Sequence, residues 1–297
     1  MKRKRVLLGV FTIITLLIFF SFLFFIIGRL LGRPSQFTFG DKIAVVEIRG
    51  VITQSAAVVE EIHQYLEDGG VKAIVLRIDS PGGGVGPSQE IHREVVKAKQ
   101  QKKVVVSMGS VAASGGYYIA CASDLIVANP GTITGSIGVV MEFTNLEELL
   151  KKIGVKGVVI KSGEYKDIGS PFREMTMEEK KIMQDVIDNV NQQFIQAVAE
   201  GRKLDRNKVA AIADGRIFTG EQAQRLGLID RMGNLQDTID MTAQMVGIKG
   251  QPTVLYPREK FSLWDLLMQE IASAIQKILI ENGFELNLNY RLSSPAG

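Results

Sequence analysis

Two serines in a run of small residues, Met108 to Tyr118 (M-G-S-V-A-A-S-G-G-Y-Y), are the side chains of this sequence best placed for nucleophilic chemistry. Ser114 falls where a strand, Val104 to Ser107, gives way to a helix carrying Tyr117, Tyr118, Ile119 and Ala122, with Gly115 and Gly116 directly behind it. Small neighbours leave the hydroxyl accessible, and the unpaired N–H groups of a helix start point at any oxyanion formed on it. A serine there serves equally well as a helix N-cap, and Ser110 competes for the nucleophilic role on local grounds. A second segment, Asp79 to Gly84 (D-S-P-G-G-G), follows the strand Ala73 to Ile78. Three glycines let backbone N–H groups converge without a Cβ in the way, as an oxyanion or phosphate site needs. Neither the Gly-Lys-Ser/Thr of a phosphate loop nor Gly-x-Gly-x-x-Gly is present, and a plain tight turn accounts for an isolated glycine triplet just as well.

A serine hydroxyl needs a base. The two histidines, His63 and His92, both precede Ser114 in stretches that read as surface helices, where histidine is ordinarily solvated. Lysine is the remaining type, and it must be neutral to accept a proton, which requires burial or a nearby dipole to lower its pKa from about 10.4. Lys166 lies in K-S-G-E-Y-K-D-I-G-S-P (Lys161 to Pro171), a loop after an expected strand Val155 to Lys161. On its own it is one lysine among many.

Composition narrows the other classes. The single cysteine, Cys121, excludes an internal disulfide framework, and no Cys/His set has metal-ligand spacing, so neither a metal nor another cofactor is expected. The net charge is +3, and Lys2, Arg3, Lys4 and Arg5 form one cluster, leaving no basic surface for nucleic acid.

The elements that must position these groups alternate. Ile43 to Ile48 reads as a strand, Ala56 to Leu66 as a helix and Ala73 to Ile78 as a strand. Ser88 to Lys99 then reads as a helix, Val104 to Ser107 as a strand, Ser114 to Ala122 as a helix and Leu125 to Ala128 as a strand. Such a rhythm argues for an α/β fold with a largely parallel sheet covered by helices. An apolar run Ile137 to Met141, a helix Leu146 to Ile153 and an amphipathic helix Met177 to Glu200 follow; the last carries Ile182, Met183, Val186, Ile187, Val190, Phe194, Ile195 and Val198 as a packing or oligomer face. A further helix, Leu263 to Ile280, lacks a basic polar face and is expected to dock on the body, with a polar tail from Asn287.

Val6 to Ile27 are uncharged, and as a helix would span about 33 Å against a hydrocarbon core of about 30 Å. No Ala-x-Ala site follows, so an anchor retained in the lipid bilayer is expected rather than a cleaved leader. The Lys2 to Arg5 cluster keeps the N-terminus cytoplasmic and places the chain from about Arg33 onward on the far side. The expected domains are a basic tail (1–5), a transmembrane anchor (6–27), a linker (28–40), a catalytic domain (41–250) and a C-terminal helix with its tail (251–297).

Taken in order, D-S-P-G-G-G, M-G-S-V-A-A-S-G-G-Y-Y, T-G-S-I-G-V at Thr134 to Val139, S-G-E-Y-K-D, and D-G-R-I-F-T-G-E-Q-A-Q-R-L-G-L-I-D at Asp214 to Asp230 resemble the bacterial signal peptide peptidase A family in its short single-domain form. The resemblance implies a spiral of β-β-α units shared with Clp-type proteases and crotonases, and a serine-lysine dyad with Ser114 as nucleophile and Lys166 as general base. It also implies that Ser136 orients the lysine and that N–H groups of the Gly82 to Gly84 turn, Gly82 and Gly83 foremost, form an oxyanion hole with one near Ser114. The expected activity is that of a serine endopeptidase of the bacterial cytoplasmic membrane, acting on peptide substrates such as signal-peptide remnants and assembled as a homo-oligomer. Two enzymatic alternatives share the fold: a related membrane protease cutting stomatin-like partner proteins, and a crotonase-like acyl-CoA enzyme, against which the anchor and the serine segment count. A Ser-His-Asp triad would need a histidine after the nucleophile, and none follows His92. A catalytically silent scaffold would be marked by loss of Ser114 or Lys166, and both are present.

Overall fold

The computed structural model describes residues 15–23 and 40–257. The expected helix Leu263 to Ile280 and the tail after Asn287 lie outside the described residues. Of the expected anchor, residues 15–23 are helical (α1), and among the described residues no helix is long and apolar enough to cross a membrane.

The core is a mixed sheet of eight strands. β1 (Lys42–Arg49), β2 (Val71–Ser80) and β3 (Lys103–Ala113) pair in parallel, with β8 (Thr253–Leu255) added parallel to β1. Ile43 to Val46 and Ile74 to Leu76 are fully buried, because both faces of the sheet are covered. On one face Ala44, Val46, Ile74, Leu76, Val104 and Val106 join the main core with residues from α2 (Ala56–Glu67) and α3 (Val85–Ala98). On the other, Ile43, Val45 and Val75 meet Ile239 and Ala243 of α9 (Leu235–Met245). The period-two alternation of a strand divides these residues between two cores.

β3 changes partner along its length. Val105 to Ser107 pair with β4 (Leu125–Ala128), and Val111 to Ala113 pair with β5 (Ile133–Gly135). The strand therefore runs beyond the expected end at Ser107 to the residue before Ser114. β4 is extended by β7 (Arg231–Met232), and β5 by the antiparallel β6 (Ile217–Thr219). α4 (Gly115–Ala120) follows β3 and buries Tyr117, whose hydroxyl donates to the Leu228 carbonyl at 2.9 Å.

The long helix is α6 (Met177–Arg202), opened by a capping box between Thr176 and Glu179. Its expected apolar face divides in two. Phe194, Ile195 and Val198 enter the core, whereas Val186 is 46% exposed. The strand expected at Val155 to Lys161 does not form: β-branched residues favour a strand only where a partner strand and a packed face exist, and this segment has neither. No residue from 138 to 178 is buried, although α5 (Glu147–Lys152) lies within that stretch; Val158 is 85% and Ile160 96% exposed. Shorter helices, α7 (Arg206–Ala210) and α8 (Gly220–Arg225), lead back to the sheet.

Candidate active site

β3 delivers Ser114 into the left-handed region, at φ 51° and ψ −121°. A non-glycine residue there is held against its preference by its surroundings. The restraints are visible: the Ser114 N–H donates to the Gly135 carbonyl at 2.9 Å, and its own carbonyl accepts from Tyr118 N–H at 2.8 Å. The hydroxyl makes no capping hydrogen bond, so the ordinary helix-cap role of a serine is not what this side chain performs. Ser110, the competing serine, is exposed on β3 and does not line the cleft described below.

The glycine turn abuts Ser114. Gly82 has φ 104°, and a Cβ on it would lie 2.7 Å from the Gly115 nitrogen and 2.8 Å from the Ser114 Cβ. A Cβ on Gly83 would lie 2.2 Å from the Ile52 carbonyl oxygen. Neither position admits a side chain. Two of the three amides in the turn are engaged: Gly82 N–H donates to Ser80 Oγ at 3.1 Å, and Gly84 N–H to the Ile52 carbonyl at 2.8 Å. Among the described residues the Gly83 N–H donates no hydrogen bond, nor does that of Gly115, which as the first residue of α4 has no intrahelical acceptor. The two free amides flank the nucleophile's position and can receive negative charge.

Ser136 also has positive φ, 49°, and its N–H donates to the Arg216 carbonyl at 2.9 Å. Pairing of Ala113 with Gly135 sets Ser114 and Ser136 side by side at the end of β3 and β5. Both line a cleft of about 550 Å3, together with Gly83 and Gly115. One wall is apolar, from Tyr118, Ile187, Val190 and Phe194, and beside it lie Gln184, Asp188 and Asn191 of α6. Among the described residues Asn191 Oδ1 is a buried acceptor with no hydrogen-bond partner, and a bound donor would satisfy it. Sequence reading missed Asn191, and placed Phe194 only in a packing stripe. The signal for a cleft wall, polar and apolar residues sharing one helix face, is present at Gln184, Ile187, Asp188, Asn191 and Phe194, spaced by three and four.

Other titratable groups are set aside by their surroundings. His63 is exposed and pairs with Glu94 at 2.8 Å. His92 is not the solvated residue expected; its ring packs at a tilt against Tyr118, 4.8 Å between centroids, and Tyr118 in turn meets Phe194 edge-on at 4.9 Å. Burial, helped by Lys99, lowers the His92 pKa to about 4, so the ring is neutral and supports the aromatic wall from behind. Burial pushes the Cys121 thiol up to about 12, which removes it as a nucleophile. Among the described residues no group of His, Cys, Asp or Glu is arranged to hold a metal ion.

Lys166 does not join the group. It sits in an exposed turn, its N–H donating to the Gly163 carbonyl at 3.2 Å, and it is absent from the cleft lining. One chain thus brings together Ser114, Ser136, Gly83 and Gly115, and leaves Lys166 apart.

Comparison with known proteins follows the same lines. Residues 96–249 match peptidase family S49. A putative protease of Synechocystis sp. is 48% identical over 209 residues, covering 70% of this chain and 75% of that protein. A putative signal peptide peptidase SppA of Enterococcus faecium is 41% identical over 181 residues, 61% of this chain and 53% of that one, and Protease 4 of Salmonella typhi is 34% identical over 252 residues, 82% of this chain and 40% of that one. Among solved structures, a mutant of the 1510-N membrane-bound stomatin-specific protease superposes with a TM-score of 0.51 at 18% identity, over 75% of this chain and 100% of that one, a likeness of fold.

Proposed function

The chain belongs to peptidase family S49 and is a serine endopeptidase resembling signal peptide peptidase A, and from that premise we propose that it cuts peptides with a Ser114–Lys166 dyad. The observation that carries the reading is Ser114 itself: a hydroxyl released from capping, held at positive φ, between two unpaired amides at the wall of a cleft.

In the proposed reaction the neutral Lys166 amine takes the Ser114 proton as Oγ attacks the peptide carbonyl carbon. The carbonyl π electrons move onto oxygen, and the Gly83 and Gly115 N–H groups receive the resulting oxyanion. Collapse breaks the C–N bond, the ammonium of Lys166 protonates the departing amine, and an acyl-enzyme remains on Ser114. Water then attacks the acyl carbonyl carbon as Lys166 takes its proton; collapse breaks the ester C–O bond, the Lys166 ammonium returns the proton to Ser114 Oγ, and the acid leaves. Ser136, beside Ser114, is suited to accept a hydrogen bond from the lysine and hold it in line. Gly82, whose amide is occupied by Ser80, serves by letting the turn approach Ser114.

Because Lys166 lies outside the cleft of its own chain, we place it in the cleft of a neighbouring copy. The arm from 138 to 178, with no buried residue and with Val158 and Ile160 exposed, supports such an exchange: it is an apolar surface that a second copy would cover. We further propose that residues 6–27 anchor the chain in the bacterial cytoplasmic membrane, with the catalytic domain outside the cytoplasm. The substrates are then apolar peptides, signal-peptide remnants among them; the apolar wall of Tyr118, Ile187, Val190 and Phe194 fits that chemistry. The spiral β-β-α arrangement shared with Clp-type proteases and crotonases is the fold reading this function carries.

Labelling the full-length protein with a serine-directed fluorophosphonate, followed by mass spectrometry of its peptides, is expected to place the adduct on Ser114. An adduct on Ser110 would move the site. Gly83→Ala tests the oxyanion assignment. Its Cβ would collide with the Ile52 carbonyl, so the turn and its amide must move, and kcat is expected to fall by about 10²- to 10³-fold, the usual cost of losing one oxyanion donor. Near-normal kcat in a folded Gly83→Ala protein would remove Gly83 from the mechanism.

A further inference from the structure

The turn that carries Lys166 buries no residue fully, and charged side chains hold it. Asp167, the next residue, accepts from Arg173 through both oxygens: Arg173 Nη2 donates to Oδ1 at 2.8 Å and Nε to Oδ2 at 2.9 Å. Lys161 Nζ donates to the same Oδ1 at 2.6 Å and to the Glu164 carbonyl at 2.6 Å. The other edge of the Arg173 guanidinium meets Glu179, whose Oε2 accepts from Nη1 at 2.8 Å. Glu179 is only 3% exposed and also accepts the Thr176 N–H at 2.8 Å, so the chain of charges ends in the capping box of α6. Lys161, Asp167, Arg173 and Glu179 are alternately positive and negative and sum to zero. Their pairing holds both carboxyls below the usual carboxylate range, Glu179 at about 2 and Asp167 lower still, chiefly through the Arg173 hydrogen bonds.

We propose that this chain keeps the Asp167 carboxylate away from Lys166, and that Arg173 is the positioning residue that does so. The proposal rests on Lys166 being the general base. A carboxylate within about 4–6 Å of a lysine stabilises the ammonium and raises its pKa, the opposite of what a base requires. Asp167 is the carboxylate nearest to Lys166 along the chain, and it is already engaged on both oxygens. The other acids of the 138–178 arm are Glu142, Glu147, Glu148, Glu164, Glu174 and Glu178, and the neighbouring cleft that we propose Lys166 enters is lined by Asp188 and Asp214. Glu178 interacts with the Tyr165 hydroxyl, and Glu147 pairs with Lys151 at 2.9 Å and accepts the Glu174 N–H. Among the described residues the Lys166 side chain makes no ion pair.

The test is the pH dependence of kcat/KM for a peptide substrate, whose acid limb reports protonation of the free enzyme's base. In Arg173→Met the Asp167 carboxylate keeps only its Lys161 partner and can turn to Lys166, and the acid limb is expected to move up by about one pH unit, at the low end of what an adjacent opposite charge does. Lys161→Met, on an exposed residue, is expected to shift the limb the same way by less, and serves if Arg173→Met does not fold. The double variant Arg173→Met with Asp167→Asn is expected to return the limb to its original place. An unmoved limb in Arg173→Met, or a shift that survives removal of Asp167, would overturn the proposal, because a merely structural arginine predicts either of those. Lys166→Ala separates the two levels: activity in that variant would defeat the base assignment itself, whatever Arg173 does.

Discussion

Ser114→Ala is expected to lower kcat for peptide hydrolysis by about 10⁴- to 10⁶-fold, the range seen when a serine hydrolase loses its nucleophile. The loss should be chemical and not structural. The Ser114 hydroxyl caps nothing, and the contacts that fix the residue, to the Gly135 carbonyl and from the Tyr118 N–H, are made by its backbone. Alanine keeps the same backbone groups at the same strained φ, so the thermal melting temperature should change little. Ser110→Ala, on an exposed residue away from the cleft, should retain full activity. Circular dichroism melts alongside a quenched-fluorescent peptide assay decide the matter: substantial turnover by a folded Ser114→Ala protein would end the mechanism.

Lys166→Ala is expected to be equally inactive on its own, and to regain activity when mixed with Ser114→Ala. An isolated chain keeps the two residues apart, so under the proposed dyad each cleft would draw its lysine from a neighbour. If the two inactive proteins are dissociated and reassembled together in equal amounts, an intact serine meets an intact lysine at one junction in four. Recovery should then approach about a quarter of the unmodified activity, as a head-to-tail arrangement of copies requires. Two inactive variants that stay inactive after verified co-assembly would instead place both residues in one chain, and the 161–170 turn would have to move to its own cleft.

The residues that read clearly in the sequence are those whose signals are local. A β-branched strand ending in small residues, then two glycines, marks the junction at Ser114, and the Asp79 to Gly84 turn is conspicuous for its glycines alone. What was hidden depends on partners. Met108, Gly109 and Ser110 give no strand signal, yet β3 continues through them because Val111 to Ala113 find β5. Val155 to Lys161 has the β-branched residues of a strand and stays irregular for want of one to pair with. His92 sits between Ile91 and Arg93 and reads as solvated; only the packing of α3 against α4 puts its ring on Tyr118. Lys166 carries no local mark at all; the charge arrangement around its neighbour Asp167 is assembled by Arg173 and Glu179 from beyond the turn.

The positive φ of Ser114 also limits which elements of the genetic code the site can use. Threonine, the other aliphatic hydroxyl, is β-branched, and a β-branched residue at positive φ is a true outlier. A codon change that would be conservative on a surface strand is therefore closed to this position before any chemistry is considered. Cysteine, unbranched at Cβ, meets no such steric bar. The backbone of β3 and α4 thus narrows the choice of a nucleophile at this position, under the proposed mechanism, to serine or to a thiol that would have to be activated afresh.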